Sequence, residues 1–357
     1  MKKIAIFQSD FNVGGIQKSL LNILNDIDWS RYEVDVYLFD DQVFFDLPEH
    51  ENLRLIFCKP YPFFCRLVYF DLLRVFTGDP SGGKEYDVAI DFNSYRSECS
   101  VGAVNVQAKK RVMWIHNDVE IKLDNEPKYR ALWHFFKGKY RWFDAFAAVS
   151  PGIIDGFRRV NRTGDKPIAV IQNHINTDEI FRKAKAPTEF RVNPDEYNLC
   201  TMGRICHQKG FDILMEMLAE VKKQRQDLHL YLLGDGPDRE KLLAQIRDLG
   251  LEDTVTLLGN QKNPFCYLNQ MDGFVLTSRY EGQGMVIREA KTLGLELFIT
   301  KNLEKYNPGI PGREDMVDAL VNAKRREKVC DDQRGYNAAI TADLQALLET
   351  DVPEEEA

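Results

Sequence analysis

Residues 279–300, RYEGQGMVIREAKTLGLELFIT, limit what this chain can fold into more than any other stretch. An apolar run, Gly273-Phe274-Val275-Leu276-Thr277, leads into it. Glu281, Gly282 and Gly284 follow, then a helical apolar pattern from Met285 to Leu293, Gly294 where a helix would stop, and a second strand-like run, Leu297-Phe298-Ile299. Strand, glycine-rich turn, helix and strand form the βαβ unit of an open parallel sheet. Glycines after the strand let backbone N–H groups approach a ligand, and the helix start offers unpaired N–H groups and a positive dipole end to a phosphate.

Two carboxylates lie in this unit. Glu281 sits in the turn, and Glu289 lies two helical turns later, roughly 10 Å further along the axis. Neither favours a phosphate by charge. Both suit hydroxyls on either side of one, as a nucleotide sugar supplies them. Taken alone, the pair fits equally a solvated helix start and an exposed helix face.

The 357 residues predict two domains, and 44% hydrophobic with 29% charged residues is ordinary for a globular enzyme. A net charge of −8 argues against nucleic-acid binding. The start, MKKIAIFQSD, is too short in apolar residues for a signal peptide, and no run is long enough for a membrane span. Seven scattered cysteines without a C-x-x-C pair fit a reducing cytoplasm and give no metal site.

The first half alternates strand-like runs with helical patterns, giving a doubly wound α/β domain over residues 1–172. It opens with Ile4-Ala5-Ile6-Phe7, a loop holding Gly14-Gly15, and a helix; no G-x-G-x-x-G is present. The glycine pair fits a turn needing positive φ or a close approach to substrate. Arg111 to Ile115 reads as a strand ending at His116, and ligands of such sheets bind beyond strand carboxyl ends.

A second α/β series spans residues 173–350, its last helix able to pack back on the first domain, with an acidic tail at 351–357. Arg204 and Lys209 bracket a strand-to-helix turn and could clamp a diphosphate. Two stretches of the first half interleave basic and aromatic residues: 60–76 (PYPFFCRLVYFDLLRVF) and 128–142 (KYRALWHFFKGKYRW). They fit either an anionic membrane surface or domain core with a basic outer face.

The constellation resembles the family 4 glycosyltransferases, retaining enzymes with the GT-B fold of two facing Rossmann-like domains and a site in the cleft between them. Gly14-Gly15, His116, Gly203-Arg204, Lys209-Gly210, Gly234-Asp235-Gly236-Pro237, Gly259 and above all E-G-x-G-x-x-x-x-E from Glu281 to Glu289 carry it, and it covers most of the chain. Gln283, where an aromatic is common, and Leu295-Glu296-Leu297, where Leu-Pro-Val is common, depart from the pattern. The resemblance implies that Arg204, Lys209, Gly15 and the amides of Gly284, Met285 and Val286 hold the donor diphosphate, and that Glu289 holds the ribose. It implies that Glu281 and His116 lie against the sugar, as the catalytic residues. It implies no cofactor and no metal, with a nucleoside-diphosphate sugar, expected to be a UDP-sugar, as donor substrate. Ile115 to Asp118 and Lys305-Tyr306-Asn307 look like members that build bacterial surface polysaccharides, which implies transfer of a hexose-type sugar to a glycan or lipid-linked acceptor in the cytoplasm, peripherally on the inner membrane face. The leaving diphosphate needs cations, and the absence of a clear nucleophile suggests front-face attack through an oxocarbenium-like transition state. A nucleotide-sugar 2-epimerase and a non-catalytic nucleotide-sugar-binding membrane subunit are the alternatives.

Overall fold

Twelve strands form two wholly parallel sheets in a computed structural model, which describes residues 1–350 other than Val13, Arg162 and the side chain of Phe63. The acidic tail expected at 351–357 lies outside the described residues. The chain divides into two compact units, residues 1–174 with 335–357, and residues 175–334.

The first unit carries β1 (Lys2–Gln8), β2 (Tyr32–Leu38), β3 (Leu53–Phe57), β4 (Glu85–Asp91), β5 (Gln107–Ile115), β6 (Ala145–Ala148) and β7 (Ile168–Val170), in the order β3-β2-β1-β4-β5-β6-β7. Helices cover both faces, so the central strands are near-continuous apolar runs rather than alternating ones: Ile4, Ala5, Ile6 and Phe7 of β1 are all buried. The helix Gly15–Asp26 buries Leu20, Leu21, Ile23 and Leu24, one apolar stripe at helical spacing.

The helix Arg334–Glu349 packs on this unit. Its last carbonyls are met by two lysines from the strands: Lys2 Nζ donates to Leu348 and Glu349 at 3.2 Å each, and Lys110 Nζ to Leu347 at 2.6 Å. Cations at a helix C-terminus satisfy orphan carbonyls and oppose the dipole. Residues 335–350 thus sit with the first unit, although the chain reaches them after the second, and the division near 174 falls two residues beyond the boundary expected from sequence.

The second unit carries β8 (Tyr197–Met202), β9 (Leu228–Leu233), β10 (Val255–Gly259), β11 (Gly273–Leu276) and β12 (Glu296–Ile299), in the order β10-β9-β8-β11-β12. Leu199, Leu230, Leu232 and Val275 from the sheet pack with Leu214, Met215 and Leu218 of the helix Phe211–Lys222. Strand order reverses between β1 and β4 in one unit and between β8 and β11 in the other. Those are the switch points where the flanking loops part and leave room for a ligand.

The two aromatic, basic stretches differ from each other. In 128–142, Tyr129, Trp133, Phe135, Phe136 and Trp142 are half-buried, and Lys139 is 1% exposed. Lys139 Nζ donates to the Ser94 carbonyl and, at 3.2 Å, to Ser100 Oγ, which itself donates to Asp91 at 2.5 Å. Lys139 therefore cannot serve a membrane surface as its alternation with aromatics suggested. The segment's 3-10 turn, Lys137–Trp142, rotates this residue inward. The other stretch keeps large apolar groups in solvent: Phe64, Leu67, Tyr69, Leu72, Val75 and Phe76 are each more than half exposed. No helix among the described residues is long and apolar enough to cross a membrane.

Candidate active site

The switch point of the second unit is closed from two strand ends. Beyond β8, residues 203–210 turn back into the helix Phe211–Lys222. Gly210 takes φ 62°, and a Cβ there would stand 2.2 Å from the Thr277 carbonyl oxygen, so only glycine lets this turn press against the end of β11. Thr277 Oγ1 donates to the Gly210 carbonyl at 2.9 Å. Arg279, next along, donates to both carboxylate oxygens of Asp212 at 2.8 and 2.6 Å, and its N–H to the Gln208 carbonyl at 2.8 Å. This pairing with Arg279 holds the Asp212 carboxyl below its usual range and raises the guanidinium in turn.

These ties bring Lys209 onto Glu281. Lys209 Nζ lies 2.6 Å from Glu281 Oε1, and Ser278 Oγ donates to the same oxygen at 2.7 Å. The side chains are 19% and 8% exposed, so both charges are largely withdrawn from water and each depends on the other. Arg204 follows Gly203, whose N–H donates to Leu233 at 3.0 Å, while Ile205 N–H donates to Asp235 at 2.9 Å. The backbone on either side is thus stitched to the end of β9, and the exposed Arg204 guanidinium has no acid partner among the described residues. One cation is compensated and one is not.

The helix Met285–Thr292 starts at the same end of the sheet. Its first amides are partly committed. Gly284 N–H donates to Asn307 Oδ1 at 3.2 Å, and Met285 N–H to the Gln283 carbonyl at 3.0 Å. Two of the three amides expected to meet a diphosphate, those of Gly284, Met285 and Val286, are therefore engaged inside the loop. Asn307 is fully buried and also donates to Leu303 at 2.9 Å, so it anchors the glycine-rich turn. Glu289 lies on the second turn of this helix, 7% exposed. The helix begins at Met285, so Glu281 lies in the turn before it and only about one helical turn separates Glu289 from the helix start.

In the first unit, His116 stands at the carboxyl end of β5. Its Nε2 lies 2.8 Å from the Phe92 carbonyl, so that nitrogen carries the proton and Nδ1 is left as an acceptor. Trp114 and Phe92 flank the ring, at 6.5 and 4.8 Å between centroids. Burial against these rings pushes the imidazole down to about 3, against the opposing hydrogen bond to Phe92, and it is neutral at physiological pH. Beside it, at the switch point, Asn93 Nδ2 donates to Ser9 Oγ at 2.8 Å and Ser9 Oγ to Asp10 at 2.5 Å. Gly14 and Gly15 follow this loop. Neither lies in the left-handed region, and nothing lies within 4 Å of a Cβ built on Gly15.

Sequence reasoning missed Ser278, Asn93, Ser9 and Asp10, and noted Asn307 without a role. Each is a small polar residue one to four positions beyond a strand, or in a turn after one; strand-end position was the only available signal.

The chain is similar to proteins of one kind. Residues 182–305 match the family described as glycosyl transferases group 1. The N-acetylgalactosamine-N,N'-diacetylbacillosaminyl-diphospho-undecaprenol 4-alpha-N-acetylgalactosaminyltransferase of Campylobacter jejuni is 25% identical over 307 residues, 81% of this chain and 78% of that one. The lipopolysaccharide core biosynthesis glycosyltransferase LpsE of Rhizobium meliloti is 31% identical over 164 residues, 46% of each chain. A crystal structure of S. aureus TarM superposes with a TM-score of 0.69 at 14% identity, covering 98% of this chain and all of that one.

Two Rossmann-like units with wholly parallel sheets give the chain the fold of the GT-B glycosyltransferases. The chain is a glycosyltransferase whose residues 182–305 match the group 1 glycosyl transferases, and it is similar to relatives that act in bacterial lipopolysaccharide and surface polysaccharide synthesis.

Proposed function

We propose that this enzyme moves a hexose-type sugar, with retention, from a UDP-sugar to a glycan or lipid-linked acceptor, working peripherally on the cytoplasmic face of the membrane. The observation that carries the reading is the Lys209–Glu281 pair with uncompensated Arg204 beside it, at the switch point of the second sheet. A departing nucleoside diphosphate gains negative charge, and preorganised cations aimed at that charge lower the barrier. Arg204 supplies a bidentate fork and Lys209 a point charge, and the dipole of the helix Met285–Thr292 adds a partial one. No resident cofactor is needed for this chemistry.

Glu281 is held by Lys209 and Ser278 through one oxygen. A carboxylate so pinned suits a hydroxyl acceptor that orients the sugar better than a mobile nucleophile. That supports front-face attack, with the leaving phosphate taking the acceptor's proton. In this reading Glu289 accepts from the ribose hydroxyls. Neutral His116 offers Nδ1 to a sugar hydroxyl, a role a protonated imidazole would not fill. The name of the C. jejuni relative specifies a diphospho-undecaprenol acceptor, and the TarM structure contains UDP; both support the choice of substrates.

Incubation with UDP-, GDP- and dTDP-sugars and lipid-linked acceptors, read by mass spectrometry, tests the proposal. Glycosylated lipid from a UDP-sugar alone is the expected result. Conversion of the donor to an isomeric nucleotide sugar would establish an epimerase instead. Donor binding without turnover would point to a non-catalytic subunit.

A further inference from the structure

The exposed apolar segment of the first unit has an inner face. Phe64, Leu67, Tyr69, Leu72, Val75 and Phe76 point to solvent, each more than half exposed. Between them, Cys65, Arg66, Val68, Phe70 and Leu73 turn the other way and line a cavity of about 170 Å³. Both faces of the segment are largely apolar, unlike an ordinary surface helix, whose outer face is polar. A contiguous apolar surface of this kind marks a contact with something apolar.

The cavity itself is cationic. Arg66, Arg96 and Lys122 reach its wall, against one carboxylate, Glu126. Lys122 Nζ lies 3.6 Å from Glu126 and sits over the rings of Tyr95 and Tyr129 at 4.5 and 5.0 Å. Arg96 Nε is buried without a hydrogen bond; the nearest acid oxygen, on Glu98 behind it, is 4.0 Å away. Such a donor carries the desolvation cost of a polar group until something accepts from it. The remaining walls, Leu132 and Phe136, are apolar.

The cavity's position matters as much as its lining. Tyr95 to Ser97 follow β4, and Lys122 lies in the helix Val119–Asn125 that follows β5 and His116. These lining residues therefore come from segments that follow the carboxyl ends of β4 and β5, as His116 does.

We propose that this cavity receives the diphosphate of a polyprenyl-type lipid carrier, with the hydrocarbon chain leaving over the exposed segment into the bilayer. The proposal rests on the transferase reading and names its acceptor class: a sugar on a lipid diphosphate rather than a free glycan. A diphosphate matches the excess of cations, and the planar fork of Arg96 can donate to two phosphate oxygens side by side. The hydrocarbon chain matches the apolar residues that nothing in the unit covers. A free phosphate compound meets only the first requirement and a neutral lipid only the second.

Calorimetric titration of the full chain with farnesyl diphosphate, farnesol and inorganic pyrophosphate tests it without donor or turnover. Farnesyl diphosphate should bind at least about tenfold more tightly than either fragment. The double variant Arg96→Gln, Lys122→Gln should weaken it by about tenfold or more, since charge-assisted bonds carry about that much. Leu72→Ser with Phe76→Ser should weaken farnesyl diphosphate and leave pyrophosphate unchanged. With UDP in excess to occupy the diphosphate site of the other unit, these differences should persist. If the double variant melts lower than the parent, Lys122→Gln alone is read, with the same direction expected. Equal binding of pyrophosphate and farnesyl diphosphate by the parent, or undiminished binding by the variants, overturns the site. Tight, variant-sensitive binding without sugar transfer to any lipid-linked acceptor keeps the site and sinks the transferase reading.

Discussion

Lys209 Nζ stands 2.6 Å from Glu281 Oε1, joining residues 72 positions apart across the gap between β8 and β11. The pair neutralises itself, so the turn after β8 offers a donor one uncompensated cation, Arg204, and one whose charge is shared. Lys209 must divide its hydrogen bonds between the carboxylate and a phosphate, and Glu281 is fixed in place by the cation that the leaving group attracts.

Removing either member therefore does two things. Lys209→Ala takes a cation from the diphosphate and leaves Glu281 without its partner in a site 8% exposed. Arg204→Ala takes only the cation. Each should slow transfer by a factor of about a hundred or more. Lys209→Ala should also lower the melting temperature, and Arg204→Ala should not. Lys209→Ala combined with Glu281→Gln should cost less in stability than the sum of the single changes, by about 0.5–3 kcal/mol. Additive losses would show that the two residues do not act as a pair.

The carboxylates should separate kinetically. In the proposed function Glu289 makes a ribose contact that persists through the reaction, so Glu289→Ala should raise the donor KM with kcat nearly unchanged. The same proposal sets Glu281 against the sugar, where geometry changes, and Glu281→Ala should lower kcat. Steady-state kinetics with varied donor decides, and the same pattern in both variants would refute the division.

His116 predicts a pH dependence with a definite sign. Burial pushes its folded-state value down to about 3 from an ordinary 6.5. The unfolded chain thus takes up the proton first as pH falls. The stability this neutral imidazole permits is complete above about 6.5 and is lost progressively between about 6.5 and 3. Melting curves from pH 7.5 to 4.5 should fall less steeply for His116→Gln than for the parent. The transfer rate should show no limb near pH 6.5 that His116→Gln removes. A parallel pair of melting profiles would place the imidazole in water.

The parts of this molecule that were legible in the sequence are those in which chemistry follows local order. The strand–turn–helix of residues 273–292 is one, because apolar runs, glycines and a helical stripe lie in consecutive positions. His116 and Arg204 could be picked out because each follows a strand within two residues, and Lys209 because it lies in the same strand-to-helix turn, just before Gly210. Long-range pairing was not legible. Nothing in the neighbourhood of Glu281 says that Lys209 will reach it, and nothing near Asn307 says that its side chain takes the Gly284 N–H. Lys139 shows the same limit. It alternates with aromatics as a surface lysine would, yet the 3-10 turn at 137–142 aims it at Ser94 and Ser100, roughly forty residues away. The helix Arg334–Glu349 belongs with the first unit because Lys2 and Lys110 cap its end, a relationship spanning almost the whole chain.

Burial also decides which residues test the membrane reading. Replacing Lys139 by Glu would put a second acid beside buried Asp91 and should unfold the first unit rather than report on lipid. The informative residues are exposed: Leu72, Val75 and Phe76 on the helix Phe70–Thr77, with Lys128 and Lys137 on the neighbouring segment. Each exposed cation near an anionic surface contributes about 1 kcal/mol, and each large apolar side chain fully withdrawn from water about 1.5–3 kcal/mol. A few of each suffice to hold the unit on a bilayer although the whole chain carries −8. The protein should therefore sediment with phosphatidylglycerol-containing vesicles, and raised salt should weaken but not abolish this, because screening acts only on the charged share. Leu72→Glu with Phe76→Glu should abolish it at any salt, with UDP affinity and melting temperature unchanged, since both side chains already face solvent. Lys128→Glu with Lys137→Glu should remove only the salt-sensitive part. No sedimentation of the parent protein at low salt would mean that the exposed segment is covered by something other than a bilayer, and a soluble acceptor would then replace the lipid-linked one.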